Sequence, residues 1–131
     1  MPRPRHEHPT PGELEVLKIL WDRGPSTVRQ VMEVLNETRR RAYTSIMSLL
    51  GVMTDKGLLT REPRGRAFVY RAKVNRERTL GKLVDDLLGR AFEGSVSALV
   101  ARLLDQSSPS PEELEEIRKA LEEYRRPQGE E

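Results

Sequence analysis

Four residues in the first half of the chain, Thr44, Ser45, Met47 and Ser48, place hydroxyls and one flexible thioether on a segment whose opposite side is apolar. Thr44, Met47, Ser48 and Gly51 recur at helical spacing, facing away from Ile46, Leu49, Leu50 and Met53. A helix that enters the major groove needs such a face, thin enough to fit, with hydroxyls for base edges and methyls for thymine. A merely solvated face would carry Glu and Lys, and neither occurs between Ala42 and Thr54. Arg39, Arg40 and Arg41 precede this segment and Tyr43 opens it, positions suited to phosphates that flank a groove. Arg64 and Arg66 flank Gly65, the placement by which a hairpin tip lays arginine against a backbone or into a minor groove. The chemistry expected is recognition of duplex DNA, with Thr44, Ser45, Met47 and Ser48 reading bases and the arginines and Tyr43 holding the backbone.

Other chemistry finds little equipment. Cysteine is absent, which removes disulfides, thiolate catalysis and cysteine-bound metal. His6 and His8 flank Glu7 at a spacing that holds a metal weakly, and they read as part of a mobile tail. Asp85 and Asp86 are adjacent, so on a helix they diverge and share no proton. No Ser-His-acid set, phosphate-cradling glycine loop or metal-ligand spacing occurs, and neither an enzyme nor a cofactor is expected. The net charge of +2 conceals a division: residues 1–82 hold 17 Lys and Arg against 9 Asp and Glu, residues 83–131 hold 6 against 12. A polyanionic partner is expected for the basic half alone. No apolar run reaches the roughly 18 residues of a membrane span, and Arg3 and Arg5 lack the apolar stretch of a secretory signal, so a cytoplasmic location is expected.

These residues need a scaffold, and the spacing predicts one. Thr10-Pro11-Gly12-Glu13 forms a capping box ahead of Leu14, Leu17, Leu20 and Trp21. Thr27 with Gln30 caps a second helix bearing Val28, Val31, Met32 and Leu35. The third ends at Gly57, a left-handed stop. Leu58 to Glu62 and Ala67 to Lys73 read as a hairpin turning through Pro63-Arg64-Gly65-Arg66, with Phe68 and Tyr70 assigned to packing. Three helices and a hairpin are the order of a winged helix-turn-helix. Beyond it lie three amphipathic stripes: Leu80, Leu83, Val84, Leu87, Leu88 and Ala91; Val96, Leu99, Val100, Leu103 and Leu104; and Leu114, Ile117, Leu121 and Tyr124, the last opened by a capping box from Ser110 to Glu113. None can bury itself, and an identical arm on a twofold axis would cover them. The expected organisation is mainly α with one small hairpin: a tail over 1–9, a winged-helix DNA-binding domain over 10–75, a helical dimerisation arm over 76–125 and a tail over 126–131. Two such domains would bind half-sites about one helical turn, roughly 34–36 Å, or a multiple of it apart.

Taken in order, Glu13-Leu14-Glu15-Val16-Leu17 with Trp21, Gly24-Pro25-Ser26-Thr27-Val28, Ala42-Tyr43-Thr44-Ser45-Ile46-Met47, Lys56-Gly57-Leu58-Leu59 and Gly65-Arg66-Ala67-Phe68-Val69-Tyr70 form a specific set. In these motifs, and in Gly94-Ser95-Val96 and Ser110-Pro111-Glu112-Glu113-Leu114 of the arm, the chain resembles the BlaI/MecI family of penicillinase repressors. The resemblance implies a homodimer on a palindromic operator that represses β-lactamase and sensor genes. It also implies a membrane-bound sensor-protease as partner, cutting within the arm. By the resemblance, the matching bond would fall near Arg102-Leu103, where family members that are cut carry Asn-Phe. Related copper-responsive repressors use a C-terminal cysteine cluster, which this chain lacks. Two other readings predict different behaviour: a winged-helix module that docks on a protein, and a ligand-sensing regulator with its pocket between arm and DNA-binding domain.

Overall fold

The computed structural model describes residues 8–127. His6, Glu7 and most of both expected tails lie outside them. The elements are α1 (Pro11–Arg23), α2 (Val28–Leu35), α3 (Tyr43–Asp55), β1 (Leu59–Arg64), β2 (Ala67–Ala72), α4 (Arg76–Phe92), α5 (Val96–Ser107) and α6 (Pro111–Arg125). They form two compact units that divide between Val84 and Asp85. No described helix is long and apolar enough to cross a membrane.

In the first unit, α1 and α2 start on the expected boxes. The Glu13 N–H donates to Thr10 Oγ1 at 3.2 Å while the Thr10 N–H donates to the Glu13 carboxylate at 2.9 Å. Thr27 and Gln30 repeat the exchange at 3.2 and 2.8 Å. These bonds satisfy backbone donors that no helical carbonyl can reach. Helix α3 stops as predicted at Gly57, whose φ is +86°. The Leu58 N–H reaches back to the Met53 carbonyl and the Gly57 N–H to Thr54, the paired bonds of a left-handed helix end.

Strands β1 and β2 pair antiparallel from Leu59 opposite Ala72 to Arg64 opposite Ala67. The turn is therefore shorter than the sequence suggested: Pro63 and Arg64 continue the strand, and only Gly65 and Arg66 form the loop. Gly65 has φ +63° and Arg66 does not take positive φ, the pattern of a type II′ hairpin turn. Pro63 is tolerated because β1 is an edge strand, where a missing N–H breaks no ladder. The opposite edge of β2 is joined by Ser26, which exchanges backbone hydrogen bonds of 2.9 and 2.8 Å with Tyr70. Three helices closed by this hairpin make a winged helix.

The core draws Val16, Leu17 and Leu20 from α1, Val28, Val31 and Leu35 from α2, Ile46, Leu50 and Met53 from α3, and Leu59 and Tyr70 from the hairpin. On α1 the buried arc differs from the predicted stripe. Val16 and Ile19 are buried, whereas Leu14 and Trp21 are half-buried. The helix packs against both α2 and β2, so one stripe does not suffice. The Trp21 indole N–H donates to the Val74 carbonyl at 3.0 Å. Packing holds for Tyr70 but not for Phe68, which is 40% exposed near the hairpin tip, beyond the helical core. Val69, on the other face, is buried instead.

The second unit contains the end of α4 with α5 and α6. Glu93 (φ +47°) and Gly94 (φ +80°) turn the chain in left-handed conformations before Ser95 caps α5. Ser110 caps α6, accepting from the Glu113 N–H at 3.1 Å; the reciprocal half of the expected box does not form among the described residues. The stripes fall on helices as predicted, and no described side chain from Asp85 onward is buried within the chain. Leu87, Val96, Val100, Leu103, Leu104, Leu114 and Leu121 are all exposed, and Leu83 and Leu88 of α4 are half-buried.

One charge belongs to the core. Glu13, 3% exposed, receives the Lys56 Nζ at 2.6 Å, tying the start of α1 to the end of α3. Burial pushes its carboxyl up, but hydrogen bonds from Lys56 and the Thr10 N–H, with the charge of Lys56, outweigh that and hold it below the ordinary carboxylate value. A lowered folded pKa stabilises the fold above the unfolded value of about 4.3, and that contribution disappears as pH falls through the folded one. Urea denaturation across pH should show this decline in the wild type and lose it in Glu13→Gln. Lys56→Met should cost roughly 1–3 kcal/mol at pH 7, by leaving the carboxylate unpaired, and the deficit should shrink toward pH 4.

Candidate nucleic-acid interface

The rotation of α3 about its axis is set by Ile46, Leu50 and Met53, none more than 1% exposed. Turned outward by that burial are Tyr43, Thr44, Ser45, Met47 and Ser48, all exposed, with Gly51 half-buried. The predicted reading face is thus free of the protein's own body. Ala42, the N-cap position before α3, supplies no side-chain cap. The preceding loop is held by Asn36, whose Oδ1 accepts from the Arg41 N–H at 2.9 Å.

The three arginines before α3 divide by task. Arg39 and Arg40 are exposed and make no ion pair among the described residues. Arg41 was placed with them on the phosphates and is instead spent inside the protein. Its side chain is only 13% exposed, donating to the Leu35 carbonyl at 3.0 Å and to Glu15 of α1 at 3.1 Å. It closes the C-terminal end of α2, where the negative end of the helix dipole attracts a guanidinium. Sequence position alone could not separate it from its neighbours, because its partners lie on two other elements.

Arg64 and Arg66 stand exposed beside the Gly65 turn. Arg66, Ala67 and Phe68 of the wing line one cleft with Tyr43 and Met47 of α3 and Arg29 of α2. The fold therefore brings the reading face and wing tip together. No carboxylate among the described residues lines this cleft. Arg29 was not singled out in the sequence, nor was Arg61, whose guanidinium lies 4.1 Å over the Phe68 ring and 3.4 Å from the Tyr70 hydroxyl. The i, i+2 alternation of β1 with the pairing register was the signal available for Arg61. Arg102 and Leu103 lie far along the chain, exposed on α5.

Residues 9–123 match the family model described as penicillinase repressor. The chain is 27% identical over 114 residues to the penicillinase repressor of Bacillus licheniformis, covering 87% of this chain and 89% of that protein. It is 33% identical over 114 residues to the transcriptional regulator BlaI of Mycobacterium tuberculosis, covering 84% and 81%. It is 22% identical over 110 residues to the methicillin resistance regulatory protein MecI of Staphylococcus aureus, covering 84% and 89%.

The division among the arginines is measurable. Arg41→Ala should lower unfolding stability by about 1–2 kcal/mol, through the lost helix-end and Glu15 bonds. Arg39→Ala and Arg40→Ala should stay within about 0.5 kcal/mol of the wild type. Chemical denaturation of the three variants decides it.

Proposed function

The chain belongs to the penicillinase repressor family, and from that premise we propose that it represses transcription of antibiotic-response genes by binding an operator duplex as a homodimer. The family is one of transcriptional repressors rather than enzymes. The observation that carries the DNA-binding reading is the outward face of α3: exposed, uncharged, rich in hydroxyls and bordered by exposed arginines. In this reading Thr44, Ser45, Met47 and Ser48 meet base edges, while Arg39, Arg40, Tyr43, Arg64 and Arg66 hold phosphates. Arg41 is left out of the phosphate set, since its guanidinium is already occupied.

The dimer follows from the arm. A lone chain exposes aliphatic side chains on three helices, which water opposes and a second copy would cover. The surfaces proposed are those of Leu80, Leu83, Val84, Leu87 and Leu88, of Val96, Leu99, Val100, Leu103 and Leu104, and of Leu114, Ile117 and Leu121. For a sensor-protease to cut at Arg102-Leu103, α5 must first open, because proteolysis proceeds from transiently opened backbone.

Footprinting on DNA flanking the gene, followed by salt titration on the protected duplex, tests the first part. Arg64→Ala and Arg66→Ala should each flatten the dependence of log affinity on log salt by about one unit per lost phosphate contact. Ser48→Ala should change preference among operator variants by about 1 kcal/mol; equal losses on every duplex would remove it from the reading set. Duplex binding that ignores salt would point to a protein-docking module. For the dimer, Leu121→Glu should shift sedimentation toward the monomer and weaken operator binding, while leaving the winged helix folded.

A further inference from the structure

The cleft between α3 and the wing is unlike the hydroxyl-bearing surface beside it. Among the described residues upstream of α4, the exposed large apolar side chains are Tyr43, Met47, Val52 and Phe68, and three of these four line this cleft. Buried Val28 adds to the lining, and the space is about 500 Å³, within the range of small-molecule sites. Among the described residues, Arg29 and Arg66 supply its only charges. Phe68 is already held: Arg61 covers one face of its ring, and Tyr70 meets it edge-on at a centroid distance of 6.4 Å. A ring fixed before a ligand arrives loses little freedom on binding.

Charge complementarity and lining chemistry together specify an occupant. A sugar-phosphate strand carries charged oxygens throughout its length, and the side chains of Val28, Met47, Ala67 and Phe68 in the wall offer these no donors. A compact aromatic anion matches both parts. Its ring would pack on Met47, Tyr43 and Phe68 through thioether and edge contacts, and its carboxylate would pair with a guanidinium. We propose that this cleft binds a small aromatic carboxylate, and that the ligand and the operator exclude one another because Tyr43, Met47 and Arg66 serve both. The exclusion rests on the DNA-binding reading; the binding does not.

The test uses the full chain with 2-naphthoate as probe and 2-naphthamide as its neutral counterpart. Calorimetry should show saturable binding of naphthoate, with the amide weaker by about tenfold for want of a charge-assisted hydrogen bond. Among the four methionines, labelled methyl spectra should show Met47 shifting and Met32 and Met53 unmoved. Phe68→Ala and Arg66→Gln should each weaken naphthoate at least about tenfold, with unchanged melting temperature confirming that both fold. Fluorescence anisotropy should show naphthoate displacing the footprinted duplex.

No saturable binding, or binding that leaves Met47 unshifted and survives both substitutions, would overturn the site. Equal affinity for the amide would overturn the carboxylate. Saturable binding at Met47 without displacement of bound duplex would overturn the exclusion. Failure of the ligand-free protein to bind any duplex would sink the DNA-binding reading, and calorimetry would still decide whether the site exists.

Discussion

The burial of Ile46, Leu50 and Met53 sets the angular phase of α3, and the rest of the surface takes its meaning from that phase. Each side chain contributes about 1.5–3 kcal/mol by leaving water. Turning the helix by one residue would expose this stripe and, in one direction, bring Ser45 inward, where an unpaired hydroxyl costs about 1–3 kcal/mol. The two penalties add, so the hydroxyl face is held outward by a margin comparable to the stability of a whole small domain. The face is offered to solvent because the opposite one cannot be.

Cations sort themselves around this helix according to what lies within reach. Lys56 at its far end finds the buried Glu13 of α1, and Arg41 before it finds Glu15 of α1 and the end of α2. Both clamp α3 to α1, one at each end. Arg39, Arg40, Arg64 and Arg66 find no such partners among the described residues and stay exposed. The basic character of this half therefore has two origins, one spent on holding the helix in place and the other left over at the surface.

Local signals were legible in the sequence and long-range ones were not. Thr10 with Glu13, Thr27 with Gln30, and Gly57 were readable because caps and stops are decided within a few residues. The third-helix face was readable for the same reason, since one turn's periodicity separates buried from exposed. Glu13 was recognised as a cap and missed as an ion-pair partner, because Lys56 stands 43 residues away. Phe68 was assigned inward by alternation alone, which says which side of a strand a residue occupies but not whether the core extends that far. Pro63 was read as a turn residue, a fair prior that an edge strand overrides. For the arm, periodicity revealed the stripes, yet no rule of spacing says what surface meets them.

The junction at Gly57 carries a consequence for how such a surface can diversify. It is made of main-chain atoms alone: two N–H groups turned back onto the Met53 and Thr54 carbonyls through one left-handed torsion. No side chain between Thr54 and Leu58 takes part in those bonds. The elbow that joins α3 to the hairpin is thus indifferent to the identity of residues presented on either arm of it. Outward positions on both can be exchanged while the angle between them persists, provided Gly57 and the Lys56–Glu13 pair are kept.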